Sequence, residues 1–283
     1  NDKNISYDNN GNMTSVTNTC GTTNYTWDVR NRLTGISGFT VNCSPLTANF
    51  KYDALNRRIE KTINGLTTKY IYDGLDIIQE INQDGSLKAN YIRTLNIDEP
   101  LARIKSDGTI RYYQQDALGS VIALTDDTGT IKTQYGYDAF GNTVVSGEPS
   151  DNPFQYTGRE NDGTGLYYYR ARYYSPELQR FISEDPIGLE GGDVNLYVYV
   201  WNQPTRYIDP YGLLGWDSVG RWIGKQAAKQ IGKWLGKKIM PDKGLNLPDE
   251  GDDDNDGTMN FMDPDSEYCK VNCTKPSEDP MCQ

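Results

Sequence analysis

Short stretches in which apolar and polar residues alternate dominate the chain as far as residue 213, and clusters of turn-forming residues separate them. Alternation with a period of two is typical of strands that bury one face. The chain also contains 28 glycines and 13 prolines, which favour frequent turns. The pattern therefore predicts an all-β domain built from many short strands.

An aromatic residue followed by Asp marks many of these turns. The pair recurs at Tyr7-Asp8, Trp27-Asp28, Tyr52-Asp53, Tyr72-Asp73 and Tyr137-Asp138, with a looser copy around Tyr113 and Asp116. In each unit the Asp can accept hydrogen bonds from the backbone amides of the turn while the ring packs inward. Units of roughly twenty residues that cannot bury a face alone must stack on their neighbours. The repeats therefore predict a continuous array.

A different pattern begins after residue 213. Residues 220–239 repeat a tetrad of small, basic, variable and apolar residues, so that each type forms a row four positions apart. A helix is the regular structure that makes use of this spacing. We therefore predict a cationic helix over residues 216–240. It could lie in a membrane interface, or it could pack against the β-domain or a partner with its lysines outward.

The composition excludes several classes of chemistry. The chain has 283 residues, no histidine and a formal net charge of −11. The lack of histidine excludes Ser-His-Asp and Cys-His catalysis, His-ligated zinc and the usual nuclease and deaminase centres. The acidic balance argues against nucleic acid as a partner bound through a broad basic face. Any chemistry must use carboxylates, Arg, Lys, Tyr or Cys.

Five cysteines indicate an oxidising compartment. Cys20 and Cys43 lie in adjacent repeat units and are candidates for a disulfide. The other three lie in a Pro-containing tail at residues 264–283, at Cys269, Cys273 and Cys282. The odd number leaves one thiol unexplained. Because the chain lacks a secretory signal and does not begin with Met, we expect it to be part of a longer or processed protein.

The acidic stretch at residues 249–263 contains the spacing of a calcium-binding loop. Calcium favours oxygen ligands at alternating positions and a glycine at the sixth position, which here is Gly257. The candidate ligands are Asp252, Asp254, Asp256 and Asp263. An Asp at the last position weakens bidentate closure relative to Glu. Two alternatives remain: a solvated acidic linker, and a stretch that neutralises the basic helix before it.

The stretch from Tyr167 to Leu213 is rich in Tyr and Arg and contains the phrase Asp-Pro-x-Gly-Leu at Asp185–Leu189 and at Asp209–Leu213. Pro fixes φ and Gly tolerates the conformation that follows, so each phrase predicts a tight turn. The same residues also support an aspartyl peptidase that acts on its own chain. Two adjacent carboxyl groups cannot both ionise readily, so one holds a proton and the other can activate a water. A nearby Arg could orient the pair.

The repeats and this stretch resemble a known family. The aromatic-Asp units are similar to the YD repeats of bacterial RHS proteins. The phrases YGYDAFGN, PFQYTGRENDGTGLYYYRARYYSPELQRFISEDPIGL and NLYVYVWNQPTRYIDPYGL resemble the RHS repeat-associated core. The resemblance covers residues 1–213 almost continuously. It implies a β-sheet ribbon that spirals into a hollow shell, a core that closes one end, and a variable C-terminal piece that is often a toxin.

The resemblance also implies roles for individual residues. In RHS proteins an Arg of the RARYY phrase and two Asp residues carry self-cleavage, and the bond that is cut follows the last Asp-Pro-x-Gly-Leu. By position in this chain these are Arg172, Asp185 and Asp209, with cleavage between Leu213 and Leu214. The doubled phrase leaves the bond between Leu189 and Glu190 as an alternative. Arg159, Arg170 and Arg180 could pair with nearby acids, but we expect them on solvated strand faces, and the neighbouring Tyr clusters in the wall of the shell.

These features predict three domains: YD-repeat shell strands over residues 1–110, the RHS core over 111–213 and a variable C-terminal tip over 214–283. The expected function is a secreted or cell-surface bacterial protein whose shell encloses and releases the tip by at most one turnover of aspartyl self-cleavage. The expected partners are its own upstream shell and tip, with an immunity protein or a membrane surface as candidates for the tip. Calcium is the one candidate cofactor, and none is required. The alternative is a non-enzymatic surface or adhesive scaffold with a calcium-stabilised tail.

Overall fold

The computed structural model describes residues 3–40, 42–213 and 215–217, with only the backbone of residues 216 and 217. These residues form strands, turns and three short 3₁₀ helices at Tyr156–Gly158, Gly188–Gly191 and Val200–Asn202. The prediction of an all-β fold is therefore confirmed. Within the described part of the chain, no helix is long and apolar enough to cross a membrane.

Fourteen antiparallel strands form one sheet, which we call the ribbon, and each pairs with its neighbours in sequence. They are β1 (Asn4–Tyr7), β2 (Met13–Asn18), β3 (Gly21–Trp27), β4 (Leu33–Phe39), β5 (Pro45–Tyr52), β6 (Arg58–Ile63), β7 (Leu66–Asp73), β8 (Asp76–Asn82), β9 (Leu87–Arg93), β10 (Pro100–Lys105), β11 (Ile110–Gln115), β12 (Val121–Thr125), β13 (Ile131–Tyr137) and β14 (Thr143–Gly147). This order needs only short connections, which the repeated turn residues supply. The ribbon continues across residue 110, where the sequence suggested a domain boundary.

The Asp residues of the corners close the turns with local hydrogen bonds. One carboxylate oxygen of Asp28 accepts the amides of Arg30 and Arg32, at 2.8 and 3.0 Å. The same two bonds, to the amides two and four residues later, form at Asp8, Asp53, Asp116, Asp126 and Asp138. At Tyr72-Asp73 the connection is tighter, and Asp73 pairs with Asp76 instead. Most corners therefore follow the predicted geometry.

The aromatic residues of the corners connect one hairpin to the next. Their polar tips donate to the carbonyl of the first residue of a neighbouring strand. These bonds run from Trp27 to Met13 at 2.8 Å, from Tyr52 to Leu33 at 2.7 Å, from Tyr72 to Arg58 at 2.8 Å and from Tyr137 to Val121 at 2.6 Å. Because Phe cannot donate such a bond, the pattern helps to explain why the chain has 21 Tyr and only 6 Phe.

Residues 150–213, which we call the inner segment, pack against the ribbon. They contain a small sheet of β15 (Glu160–Asn161), β16 (Tyr167–Tyr169), β17 (Arg172–Ser175) and β18 (Arg180–Phe181), and then β19 (Tyr207–Ile208), which pairs with β20 (Trp216–Asp217). Apolar side chains of β2, β4 and β5 share one core with Leu166, Tyr168, Tyr173 and Ile182. The inner segment thus supplies the buried partner that each ribbon unit lacks.

Ion pairs of two buried arginines also join the ribbon to the inner segment. The side chain of Arg58 is fully buried and contacts Glu160, at 2.5 Å, and Asp162. Arg103 lies between Glu80, at 2.9 Å, and Asp151, at 2.6 Å. A buried charge is tolerated only when it is paired in this way. These pairs therefore fix the position of the inner segment more specifically than apolar packing alone.

The expectation that Arg159 and Arg170 lie on solvated strand faces is wrong. Only 4% and 12% of their side chains are exposed, and both form ion pairs with Asp98. Asp98 lies between β9 and β10, far away in sequence, so the local pattern around the arginines gives no sign of it. The third residue, Arg180, lies half-buried in β18.

The predicted helix over residues 216–240 is wrong at its first two residues. Trp216 and Asp217 are extended and pair with Ile208 and Tyr207, because the edge of β19 offers them backbone hydrogen bonds. The rest of that prediction lies outside the described residues.

Candidate functional site

Two tight turns of the inner segment hold the two Asp residues of interest. One carboxylate oxygen of Asp185 accepts the amide of Ile187 at 3.0 Å, and its carbonyl accepts the amide of Gly188 at 2.9 Å. One carboxylate oxygen of Asp209 accepts the amide of Leu213 at 3.0 Å. The doubled phrase thus forms turns, and the turns direct both carboxylates.

Arg172, the first residue of β17, lies between the two carboxylates. Its Nη2 is 2.9 Å from Oδ2 of Asp185 and 3.5 Å from Oδ2 of Asp209. Its Nε donates to the carbonyl of Gly212 at 2.5 Å, and its Nη1 donates to the carbonyl of Leu196 at 3.0 Å. These bonds hold the guanidinium in one orientation. The structure thus brings together the three residues that the sequence selected.

Burial changes the pKa values of Asp185 and Arg172. Burial raises the pKa of Asp185 to about 7, although Arg172 and the amide of Ile187 oppose the rise; the negative charge of Asp209 adds to it. Burial also lowers the pKa of Arg172, against the opposing effect of both carboxylates. Asp185 can therefore hold a proton up to about neutral pH, next to a second carboxyl group.

A small cavity lies beside these residues. Its volume is about 20 Å³, enough for one water molecule. Its lining includes Arg172, both carboxyl groups and Leu213. Gly191 lies at the same place, since a Cβ there would be 2.7 Å from Oδ2 of Asp185 and 3.2 Å from the carbonyl oxygen of Leu213. The missing side chain therefore leaves room between an acid and a backbone carbonyl.

The two candidate cleavage positions differ in their surroundings. Leu213 is buried, and its amide is bound by Asp209. Leu214 lies outside the described residues, and Gly215 packs against the indole of Trp201. By contrast, Leu189 is 69% exposed and lies in a 3₁₀ turn. The carboxyl pair thus lies at the end of the second phrase.

Three neighbours of the site were not identified from the sequence. Leu196 contributes only its carbonyl, and Gly191 contributes only the absence of a side chain. The ring of Phe181 lies 3.7 Å from the guanidinium carbon of Arg172, a cation–π contact. Contacts of backbone and ring depend on the tertiary fold, so no local motif predicts them.

The other candidate sites are only partly described. Cys20 and Cys43 form a disulfide, with their Cα atoms 4.9 Å apart. The remaining cysteines, Cys269, Cys273 and Cys282, lie outside the described residues, as do the candidate calcium ligands Asp252, Asp254, Asp256 and Asp263.

Comparison with known proteins identifies the family. The family model for the teneurin YD-shell matches residues 1–204. The chain belongs to the YD-shell family. It is 40% identical over 225 residues to the tRNA3(Ser)-specific nuclease WapA of Bacillus spizizenii, which covers 76% of this chain and 9% of that protein. It is 31% identical over 230 residues to the double-stranded DNA deaminase toxin A of Burkholderia cenocepacia, which covers 70% of this chain and 16% of that protein.

Solved structures share the fold. The crystal structure of TcdB2-TccC3 superposes with a TM-score of 0.55 at 22% identity, over 75% of this chain and 14% of that one. The predicted RHS and YD-repeat family is therefore confirmed, and this YD-shell chain is of the polymorphic-toxin type. It spans about a sixth or less of the length of these relatives.

Proposed function

We propose that this YD-shell chain cuts itself once, between Leu213 and Leu214, and so releases the C-terminal tip. The observation that carries the proposal is Arg172, which bridges two buried carboxyl groups next to the carbonyl of Leu213. An ordinary turn does not need a shared, buried guanidinium. An aspartyl peptidase needs one carboxyl group that holds a proton and a second that activates a water. Asp185, whose pKa is raised, suits the first role.

In the proposed reaction Asp209 is the base and Asp185 is the acid. The Asp209 carboxylate takes a proton from water, and the water oxygen attacks the carbonyl carbon of Leu213. Asp185 gives its proton to the carbonyl oxygen. When the diol collapses, Asp185 regains a proton from a hydroxyl group, the C–N bond breaks, and Asp209 protonates the nitrogen of Leu214. Arg172 steadies the carboxylates as their charges change.

The tether between site and substrate makes this chemistry feasible. The scissile bond belongs to the same chain as the site and follows the turn of Asp209, whose carboxylate binds the amide of Leu213, so no separate substrate has to be bound. Well-oriented intramolecular groups reach effective concentrations on the order of 10⁵ M or more. After the cut the site has no new substrate. The chain therefore acts as an enzyme at most once.

The toxin names of the relatives support a delivery function for the whole protein. We propose that the shell encloses the tip and that the protein is secreted or displayed at the cell surface. Calcium binding at Asp252, Asp254, Asp256 and Asp263 and a membrane surface as the target of residues 218–240 are parts of the same proposal. The oxidised Cys20–Cys43 pair is compatible with an extracellular site.

Intact mass and N-terminal sequencing of the full expressed chain test the proposal. We expect a new N-terminus at Leu214 in the wild type. Asp209→Asn should slow the cut by about 10²–10⁴-fold, because general base catalysis contributes about that much. Asp126→Asn, at an exposed corner of the ribbon, is the matched control and should be cut like the wild type. One uncut mass for the wild type would contradict the proposal and favour the surface scaffold.

A further inference from the structure

Residues 170–172 donate hydrogen bonds to the carbonyls of residues 210–212, just before the proposed cut. Arg170 Nη1 donates to Pro210 at 2.5 Å, the amide of Ala171 donates to Tyr211 at 3.1 Å, and Arg172 Nε donates to Gly212 at 2.5 Å. We call this set of three bonds the clamp. The next carbonyl along the chain is that of Leu213, which lies beside the carboxyl pair.

The backbone fits the clamp closely. Gly212 has a φ of +68°, and a Cβ there would lie against the carbonyl of Tyr169 and 3.1 Å from the amide nitrogen of Arg172. Only glycine allows this approach without strain. Arg170 itself has a φ of +55°, an uncommon value for a residue with a side chain. The clamp is therefore a specific close contact between two turns.

The ribbon holds the first residue of the clamp through Asp98. The carboxylate of Asp98 is bound by both Nη atoms of Arg170, at 2.8 and 3.0 Å. It is also bound by Arg159. Asp98 is 7% exposed and lies in the connection between β9 and β10. The guanidinium of Arg170 also lies 5.4 Å from the ring centre of Tyr211. Asp98 thus orients the group that holds Pro210.

We propose that Arg170 and Asp98 are positioning residues for self-cleavage, and that they make the cut depend on folding of the ribbon. The effect on cleavage rests on the proposed function, but the clamp itself can be tested by the local order of residues 209–213. Asp98 belongs to the ribbon and Arg170 to the inner segment. Their pairing exists only when β9 and β10 lie against the turn at residues 169–172. An incompletely folded shell would leave the scissile segment loose and uncut.

Arg159 provides a matched control within the same ion cluster. It shares Asp98 with Arg170, but its remaining bonds go to the carbonyl of Tyr168, at 3.0 and 3.2 Å. None of these described bonds reaches residues 209–213. Replacement of either arginine by Gln removes one ion pair with Asp98. Only the change at Arg170 also removes a bond of the clamp. It removes a longer ion pair with Asp76 as well, at 3.7 Å, so Asp76→Asn is the further control that separates this pair from the clamp.

The first readout is hydrogen exchange of the backbone amides of Asp209, Tyr211, Gly212 and Leu213, measured in the full chain with Asp185→Asn to prevent cutting. Arg170→Gln should accelerate exchange there at least about tenfold, because opening of the clamp exposes these amides. Arg159→Gln should leave this segment within about twofold of the parent. Equal protection in the two variants would overturn the clamp. This result does not depend on whether the wild type cleaves, so it separates failure of the clamp from failure of the proposed function.

The second readout is the rate of cleavage in the otherwise wild-type chain. Arg170→Gln and Asp98→Asn should each slow it by about 10–10²-fold, as a misplacement of about 1 Å does. The double variant should be no slower than the slower single variant. Arg170→Lys, which keeps the charge but not the fork, should recover part of the rate. The pH at which the rate falls should stay unchanged, and cleavage at the wild-type rate in folded Arg170→Gln would overturn the positioning role.

Discussion

The ribbon and the inner segment use the same turn chemistry with opposite electrostatic results. At Asp138 in the ribbon and at Asp185 in the inner segment, a carboxylate accepts the amide two residues later, at 2.9 and 3.0 Å. Burial acts to raise the pKa of Asp138, but hydrogen bonds from Asn142 and from the turn amides lower it below its usual value. At Asp185 burial prevails and raises the pKa to about 7.

The comparison shows that environment, and not the turn, makes a reactive carboxyl group. The ribbon corners lie at the surface, where water still solvates the carboxylate and the amide bonds favour the charged form. In the inner segment the turn at Asp185 is enclosed by other residues of the same segment, among them Arg172, Leu196 and Leu213, and these remove much of that solvation. The same Asp turn therefore gains a carboxyl group suited to acid–base catalysis when the fold buries it next to a second carboxyl group and a shared arginine.

The largest effect that this comparison predicts concerns two adjacent arginines of the ribbon. Arg58→Met should reduce the free energy of unfolding by about 3–5 kcal/mol, because it leaves Glu160 buried without its cation and Asp162 with only Lys61, at 3.0 Å. Arg57→Met removes an ion pair with Asp53 whose side chains are 25% and 20% exposed, and it should cost about 1 kcal/mol or less. Urea denaturation of uncut chains measures both. Equal losses would mean that burial does not separate the two environments.

A second prediction concerns the pH dependence of cleavage. Because the pKa of Asp185 is raised to about 7, its acid form is present below that pH and is lost above it. The rate of the proposed cut should therefore fall by about tenfold for each pH unit above about 7. Asp138→Asn in the ribbon should leave the profile unchanged, since that carboxyl group is ionised throughout. A rate that stays constant up to pH 9 would exclude Asp185 as the acid.

The sequence predicted the features that depend on neighbours in the chain. The alternating pattern predicted strands, the aromatic-Asp pairs predicted closed corners, and the two Asp-Pro-x-Gly-Leu phrases predicted tight turns; the structure contains all of these. Local bonds decide these features, so local sequence is enough. The residues alone left two interpretations open, an ordinary turn and a carboxyl pair with a nearby Arg, and the resemblance to RHS proteins selected Arg172, Asp185 and Asp209.

Features that depend on distant partners could not be predicted in this way. In the sequence, Arg170 looks like one more charged residue at a strand end. Its ion pair with Asp98, which is distant in sequence, forms only in the folded chain. The extended residues Trp216 and Asp217 are a similar case. Their sequence fits the start of a helix, but the open edge of β19 provides backbone partners. In both places a tertiary contact outweighs a local preference.

The smallest predicted effect tests how the ribbon holds itself together at its corners. The hydroxyl of Tyr137 donates to the carbonyl of Val121 at 2.6 Å, across to the next hairpin. Tyr137→Phe keeps the ring packing and removes this bond, so the free energy of unfolding should fall by about 1 kcal/mol. Tyr7→Phe, at a corner whose ring is 39% exposed, should change it by less than about 0.5 kcal/mol. If both changes have the same effect, the ring alone and not its hydroxyl connects the repeats, and the excess of Tyr over Phe needs another cause.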